Sequence, residues 1–314
     1  MTAGAGVKRD RTRLVVACGV VLIAIGSAGF VAAESLAAYS AARFVMGLGS
    51  GWLWIGITFS TLERWPGQEY LCMSRILSAY SVGGLVGPAL GAIHGIDGPF
   101  LTYGLLAGCA LVFAALMPLP DRARRFTTDR TTLRLPGFWT ASAAILFTVL
   151  ALGVVEGVLP LHLADRLDQS EIALIYAGVS VLAAGSAALA ARFSPQADVL
   201  VGAALITGGL TLAGATNAVG PWIAALALTG AGVGLGNTGS IGLLLQGIQP
   251  DRIVTAMIVW SQLGIVGYLI GPLAAGLVAE TLGFVALGLV PLAAVVLLLG
   301  ALHWAVRSAT TTTP

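Results

Sequence analysis

The chain has 314 residues, 57% of them hydrophobic and only 10% charged, with a formal net charge of +2. A mean hydropathy of +0.93 excludes an ordinary soluble domain, in which about a quarter of the residues are charged. So slight a basic excess leaves no footprint for nucleic acid, and the apolar surface must be spread over many spans of about 20 residues.

In chain order, a basic start (Lys8, Arg9, Arg11, Arg13) precedes an apolar stretch with no clear small-residue cleavage site, so it reads as a retained span. Apolar runs between charges and turn residues predict ten helices, near residues 14–33, 36–60, 76–96, 99–118, 138–161, 171–191, 197–216, 221–246, 253–279 and 283–305. Glu34 and Ser35 mark a tight turn between the first two. Arg43 lies inside the second span, roughly 10 Å from its start at about 1.5 Å per residue. The longest polar connection, Leu119 to Gly137, is basic and follows the fourth span. Glu156 stands just short of the end of the fifth span. Asn237 and Gln246 lie in the eighth, and Trp260, Gln262 and Tyr268 in the ninth.

One peptide pattern occurs twice. The third span holds Gly83-Gly84-Leu85-Val86-Gly87-Pro88-Ala89-Leu90-Gly91, and the ninth holds Gly267-Tyr268-Leu269-Ile270-Gly271-Pro272-Leu273-Ala274-Ala275-Gly276. Glycine at four-residue spacing lets membrane helices approach backbone to backbone, and proline removes an intrahelical hydrogen bond and bends the helix. Substitution of Gly87 or Gly271 by Leu is therefore expected to do more damage than the same change at Gly202, which belongs to no such motif. A recurrence after six helices fits an internally repeated transporter. It also disfavours the five-plus-five plan of the drug/metabolite transporters, which share the ten-span format.

Arginine placement predicts the orientation. Alternate loops carry Lys8, Arg9, Arg11, Arg13, Arg64, Arg75, Arg122, Arg124, Arg125, Arg130, Arg134, Arg192, Arg252 and Arg307, whereas the opposite loops carry only Arg166 among acidic residues. Basic residues gather on the cytoplasmic face, so both termini are expected in the cytoplasm of a cell-membrane protein. The division of the chain is then uneven, four spans plus six: 1–118 as an incomplete first half, 119–137 as a cytoplasmic linker, 138–306 as a six-helix second half, and 307–314 as a polar tail.

These residues carry a resemblance. The run from Gly83 to Gly91 looks like the antiporter motif of the drug:proton antiporter branch of the major facilitator superfamily. Arg43-Phe44-Val45-Met46-Gly47-Leu48-Gly49-Ser50-Gly51 is similar to that branch's RxxxGxG signature, and Leu159 to Asp165 resembles the start of a second half. The resemblance covers the whole chain as helices three to twelve and implies an all-α bundle of the major facilitator type. It also implies two helices missing ahead of Met1, whether by a wrong start site, a truncated gene or a natural ten-helix form. Only a tail, Arg9-Asp10-Arg11-Thr12-Arg13-Leu14, resembles the loop that family members usually carry between helices two and three.

The chemistry expected is transport. No phosphate loop, nucleophile elbow or paired-Asp motif is present, and Cys18, Cys72 and Cys109 are isolated, so neither an enzyme, a cofactor nor a metal is expected. Charges inside a bilayer are costly and usually face a cavity, a partner or an ion path, which singles out Arg43 and Glu156; both also lie shallow enough to snorkel. A carboxyl group in a low-dielectric span can take up and release a proton, so Glu156 is the candidate for proton coupling. The resemblance implies a role in coupling or substrate binding for Arg43, and a cavity-lining place for Asn237, whose alternative is an interhelical hydrogen bond. Gly83, Gly87, Pro88, Gly91, Gly267, Gly271, Pro272 and Gly276 are expected to be structural. The expected partners are a small-molecule substrate, protons and the lipid bilayer. The function expected is proton-coupled efflux of small amphipathic molecules, with a sugar or metabolite uptake symporter or a transport-inactive fragment as alternatives.

Overall fold

Ser35 accepts a hydrogen bond from the Ala38 amide at 3.2 Å, and this N-cap turns the chain from α1 (Thr12–Val31) into α2 (Leu36–Arg64). In the computed structural model the described residues are 12–94, 97–116, 129–216, 218–249 and 252–288, with 293, 296, 297, 300, 301 and 304 beyond them. After α2, Pro66 and Gly67, the latter at φ +83°, stop the helix. There follow α3 (Glu69–His94), α4 (Asp97–Leu116), a 3-10 turn (Arg130–Arg134), α5 (Pro136–Gly157), the short α6 (Leu159–Leu163), α7 (Gln169–Ala190), α8 (Pro195–Ala215), α9 (Val219–Gly247), α10 (Ile253–Leu282) and a second 3-10 turn (Phe284–Gly288). Among the described residues the structure is all-α, and 7 helices are long and apolar enough to cross a membrane.

Nine of the ten predicted spans are thus long helices, most within a few residues of their expected ends. The exception is α3, which begins at Glu69 rather than near residue 76. Its first turns, Glu69 to Arg75, are polar enough to read as loop and are nevertheless helical. The tenth span is described only in part, and the 1–11 start, most of the 119–137 linker and the 307–314 tail lie outside the described residues.

The chain divides into two compact units, one of 1–69 with 87–127 and one of 70–86 with 128–314. In the first, α1 packs on α2 and α4. Its core holds Val20, Ile23 and Ala107. A methyl group built on Gly49 would lie 2.7 Å from the Gly19 carbonyl oxygen, so the glycine of the Arg43–Gly51 stretch that serves packing is Gly49. In the second unit α9 packs against α8, α7 and α5, and α5 packs against α10. The exposed Arg252–Asp129 pair, at 3.4 Å, brings two of the predicted cytoplasmic connections to one end of this unit.

Candidate functional site: the Glu156–Tyr268 pair

The sequence places Glu156 one residue before the end of α5 and Tyr268 midway along α10, and the structure joins them. The Tyr268 hydroxyl donates to Glu156 Oε2 at 2.6 Å, a charge-assisted bond when the carboxyl group is ionised. What brings the two groups together is the second GxxxGP run. A methyl group on Gly267 would lie 2.9 Å from the Leu146 carbonyl oxygen, and one on Gly271 would lie 3.2 Å from the Val154 amide nitrogen. Only hydrogen at these positions permits so close a crossing of α10 over α5.

The fit is reciprocal. On α5, a methyl group at Gly153 would stand 2.7 Å from the Tyr268 carbonyl oxygen, and one at Gly157 would stand 2.6 Å from Pro272 Cβ. The Pro272 ring therefore lies over the Gly153 and Gly157 notch, and Glu156 sits beside it. Pro272 lies inside a helix that runs on unbroken to Leu282. A second tyrosine closes the neighbourhood, because Tyr176 of α7 donates from its hydroxyl to the Val155 carbonyl oxygen. Sequence reading missed Gly153, Gly157 and Tyr176. The first two carried a legible signal, a four-residue glycine spacing bracketing the one acidic residue of the span. Tyr176 carried none.

The remaining candidates are dispersed. Arg43 is in the first unit, exposed, with its guanidinium carbon 5.2 Å from the Phe30 ring centroid and 5.0 Å from that of Phe100. The two rings are themselves stacked at 3.8 Å, so the cation rests on an aromatic pair. Asn237 is half-buried in α9, and its backbone carbonyl accepts from Ser240 Oγ at 2.8 Å. Gln246 accepts from Gln196 Nε2 at 3.1 Å. Trp260 is buried with its indole N–H unpaired among the described residues. Gly83 has open space where a side chain would go, as does Gly276. Gly87, Pro88 and Gly91 belong to a helical stretch, and their surroundings lie outside the described residues. Among the described residues no group of His, Cys, Asp and Glu could hold a metal ion.

Long apolar helices that cross through glycine notches, with a carboxyl group held at one crossing, define a polytopic membrane protein rather than a water-soluble bundle. The sequence model of the Major Facilitator Superfamily matches residues 2–195, and the chain belongs to that superfamily of membrane transporters. No curated protein sequence matches the chain. Among solved structures it is similar to a variant of the E. coli fucose:proton symporter FucP, with a TM-score of 0.74 at 16% identity over 97% of this chain and 86% of that one. It is similar also to the human organic anion transporter MFSD10, with a TM-score of 0.74 at 18% identity over 96% and 79%. A bacterial homologue of the iron transporter ferroportin in an outward-facing state gives 0.68 at 20% identity over 97% and 86%.

Proposed function

We propose that the chain is a proton-coupled exporter of small amphipathic molecules, working by alternating access in the cell membrane with both termini in the cytoplasm. The observation that carries this reading is the Glu156–Tyr268 hydrogen bond at 2.6 Å, formed on the second GxxxGP run. A carboxyl group carries a proton by cycling between two forms, and the bond from Tyr268 is charge-assisted, and so stronger, only in the ionised one. A change of protonation at Glu156 is therefore felt directly by α10, the helix that crosses α5 most closely. The resemblance to the drug:proton antiporter branch supports the direction, and the basic connections gathered near Asp129 and Arg252 support the sidedness. Arg43, a fixed cation on an aromatic pair, and Asn237, half-buried in α9, are the residues proposed to meet substrate.

Efflux of ethidium from reconstituted vesicles against an imposed pH gradient tests the assignment. Glu156→Gln keeps the size of the side chain and its hydrogen bond to Tyr268 but carries no exchangeable acid. It should abolish gradient-driven efflux and leave ethidium binding nearly unchanged. Full efflux by this variant would make Glu156 an interfacial, snorkelling residue. Uptake by proton symport is the second reading, favoured by the fold shared with a fucose:proton symporter. Proton-driven accumulation in place of extrusion would select it.

A further inference from the structure

The first half of α3 is held to the second unit by a row of side-chain hydrogen bonds along one helix face. Tyr70, Ser74 and Ser78 recur at four-residue spacing and so share one helix face. The Tyr70 hydroxyl donates to the Asp198 carboxylate, a group only 2% exposed in the first turn of α8. Ser74 Oγ donates to the Ala187 carbonyl oxygen at 2.6 Å, and Ser78 Oγ donates to the Ala184 carbonyl oxygen at 2.8 Å. Further along, a methyl group on Gly84 would come 3.3 Å from Ser180 Oγ.

The tyrosine is seated, not merely bonded. A methyl group on Gly242 of α9 would meet the Tyr70 ring edge at 2.5 Å and Pro195 Cγ at 2.7 Å. Gly242 and Pro195 thus form a socket with Asp198 at its base. At the α5–α10 crossing, by contrast, the one such bond, Tyr268 to Glu156, accompanies backbone lying on backbone. Each rung on α3 is a side-chain hydroxyl on a carbonyl or carboxylate, and every such group exchanges its partner for water at small net cost. The two compact units also part between Val86 and Gly87, inside the first GxxxGP run, where Pro88 supplies no amide donor to the helix.

We propose that the first half of α3 is a releasable latch, seated by Tyr70 in the socket of Pro195, Asp198 and Gly242 and held by Ser74 and Ser78, whose opening uncovers the ends of α7, α8 and α9 at which these residues lie. The sidedness of that end and the need for opening in transport rest on the function proposed above. The latch itself does not.

The test uses the full chain in reconstituted vesicles with Cys18, Cys72 and Cys109 replaced by Ser. Ser74, fully buried, becomes the single reporter as Ser74→Cys, and a maleimide reacts with it only when the latch is open. Tyr70→Phe, which removes the donor to Asp198, should speed labelling about ten-fold or more, the population change expected for one lost hydrogen bond to a charged group. Ser78→Ala, the gentler variant, should speed it several-fold. A control reporter at the buried α5 position, Ser142→Cys, should stay unlabelled in both, which separates local release from global unfolding. Labelling unchanged by both variants would overturn the latch and make the seam a fixed part of the bundle; so would equal acceleration at Ser142→Cys.

The second arm ties the latch shut. A disulfide between Ser78→Cys and Ala184→Cys, formed with copper phenanthroline, should arrest ethidium efflux, and dithiothreitol should restore it. Efflux undiminished through the crosslinked chain would overturn the requirement for opening. Absence of ethidium efflux in every form, with labelling accelerated as described, would strike the exporter reading and sustain the latch.

Discussion

The two GxxxGP runs are nearly the same peptide, and their first glycines, Gly83 and Gly267, are put to different uses. In α10, Gly267 and Gly271 lie against the α5 backbone, and side chains there would meet the Leu146 carbonyl at 2.9 Å and the Val154 amide at 3.2 Å. In α3, Gly83 faces open space, and a methyl group on Gly84 would meet only a serine hydroxyl at 3.3 Å. A small-residue motif grants permission for close approach, and the partner helix decides whether the permission is used. In α10 the partner has matching notches, Gly153 and Gly157, whereas the first half of α3 is held by hydroxyl groups.

The comparison breaks first, and most severely, at Gly271. Gly271→Leu would drive a branched side chain into the α5 backbone, where neither wall can yield. Overpacking costs about 1–3 kcal/mol even where neighbours can shift, so the expected outcome is loss of the monodisperse protein on size exclusion. Gly83→Leu should leave the elution profile and melting temperature within about 0.5 kcal/mol of the parent. Equal damage by the two would show that the repeated peptide, and not its partner, sets the packing. Gly202 corrects the simpler expectation drawn from sequence. It lies in no GxxxGP run, yet a methyl group there would sit 2.8 Å from both the Gly232 carbonyl oxygen and the Gly236 amide nitrogen. Gly202→Leu should therefore be as damaging as Gly271→Leu.

A milder change sharpens the functional side of the comparison. Tyr268→Phe keeps the ring and the glycine crossing and removes only the hydroxyl that donates to Glu156. A hydrogen bond to a charged group is worth about 1.5–3 kcal/mol, so gradient-driven efflux should fall about ten-fold or more with the fold intact, and its pH profile should change. The corresponding α3 position, Gly84, offers no such group, and Gly84→Ala should leave the pH profile as it was. An unaltered profile for Tyr268→Phe would detach the second motif from coupling and leave it a packing device.

How much of this was legible follows from what each feature depends on. Helix positions depend on hydropathy along one stretch of chain, so nine long helices could be read directly, and α3 was cut short only because its first two turns are polar. Glu156 stood out because a lone acid in an apolar span is costly wherever it points. Its pairing with Tyr268 depends on the register between α5 and α10, which no single stretch encodes. Tyr70 was invisible for the same reason, since its socket is assembled from α8 and α9. Glycines show the limit most plainly: Gly83 and Gly271 look alike in sequence and differ entirely in what faces them.

The smallest effect is expected far from any crossing, at the start of α7, where a local cap replaces interhelical packing. Asp168 Oδ1 accepts from the Glu171 amide at 2.8 Å and from Ser170 Oγ at 2.6 Å, while Glu171 Oε2 accepts from the Asp168 amide at 3.0 Å, a complete capping box. The Ser170 hydroxyl first, and then the Glu171 amide, hold the Asp168 carboxyl below the usual aspartate range. A carboxylate whose affinity for protons is lowered by folding stabilises the folded chain above its unfolded pKa of about 3.9, and that contribution fades as pH falls through the lower folded value. Asp168→Ala should therefore lower the melting temperature by about 2 °C or less at neutral pH, with the gap to the parent closing below about pH 4. Asp168→Asn, which accepts the same amide without titrating, should show no such closure. A gap for Asp168→Ala that persists unchanged in acid would show that the carboxylate does not cap α7, and one as large as that of Gly271→Leu would show that helix ends, and not glycine crossings, hold this bundle together.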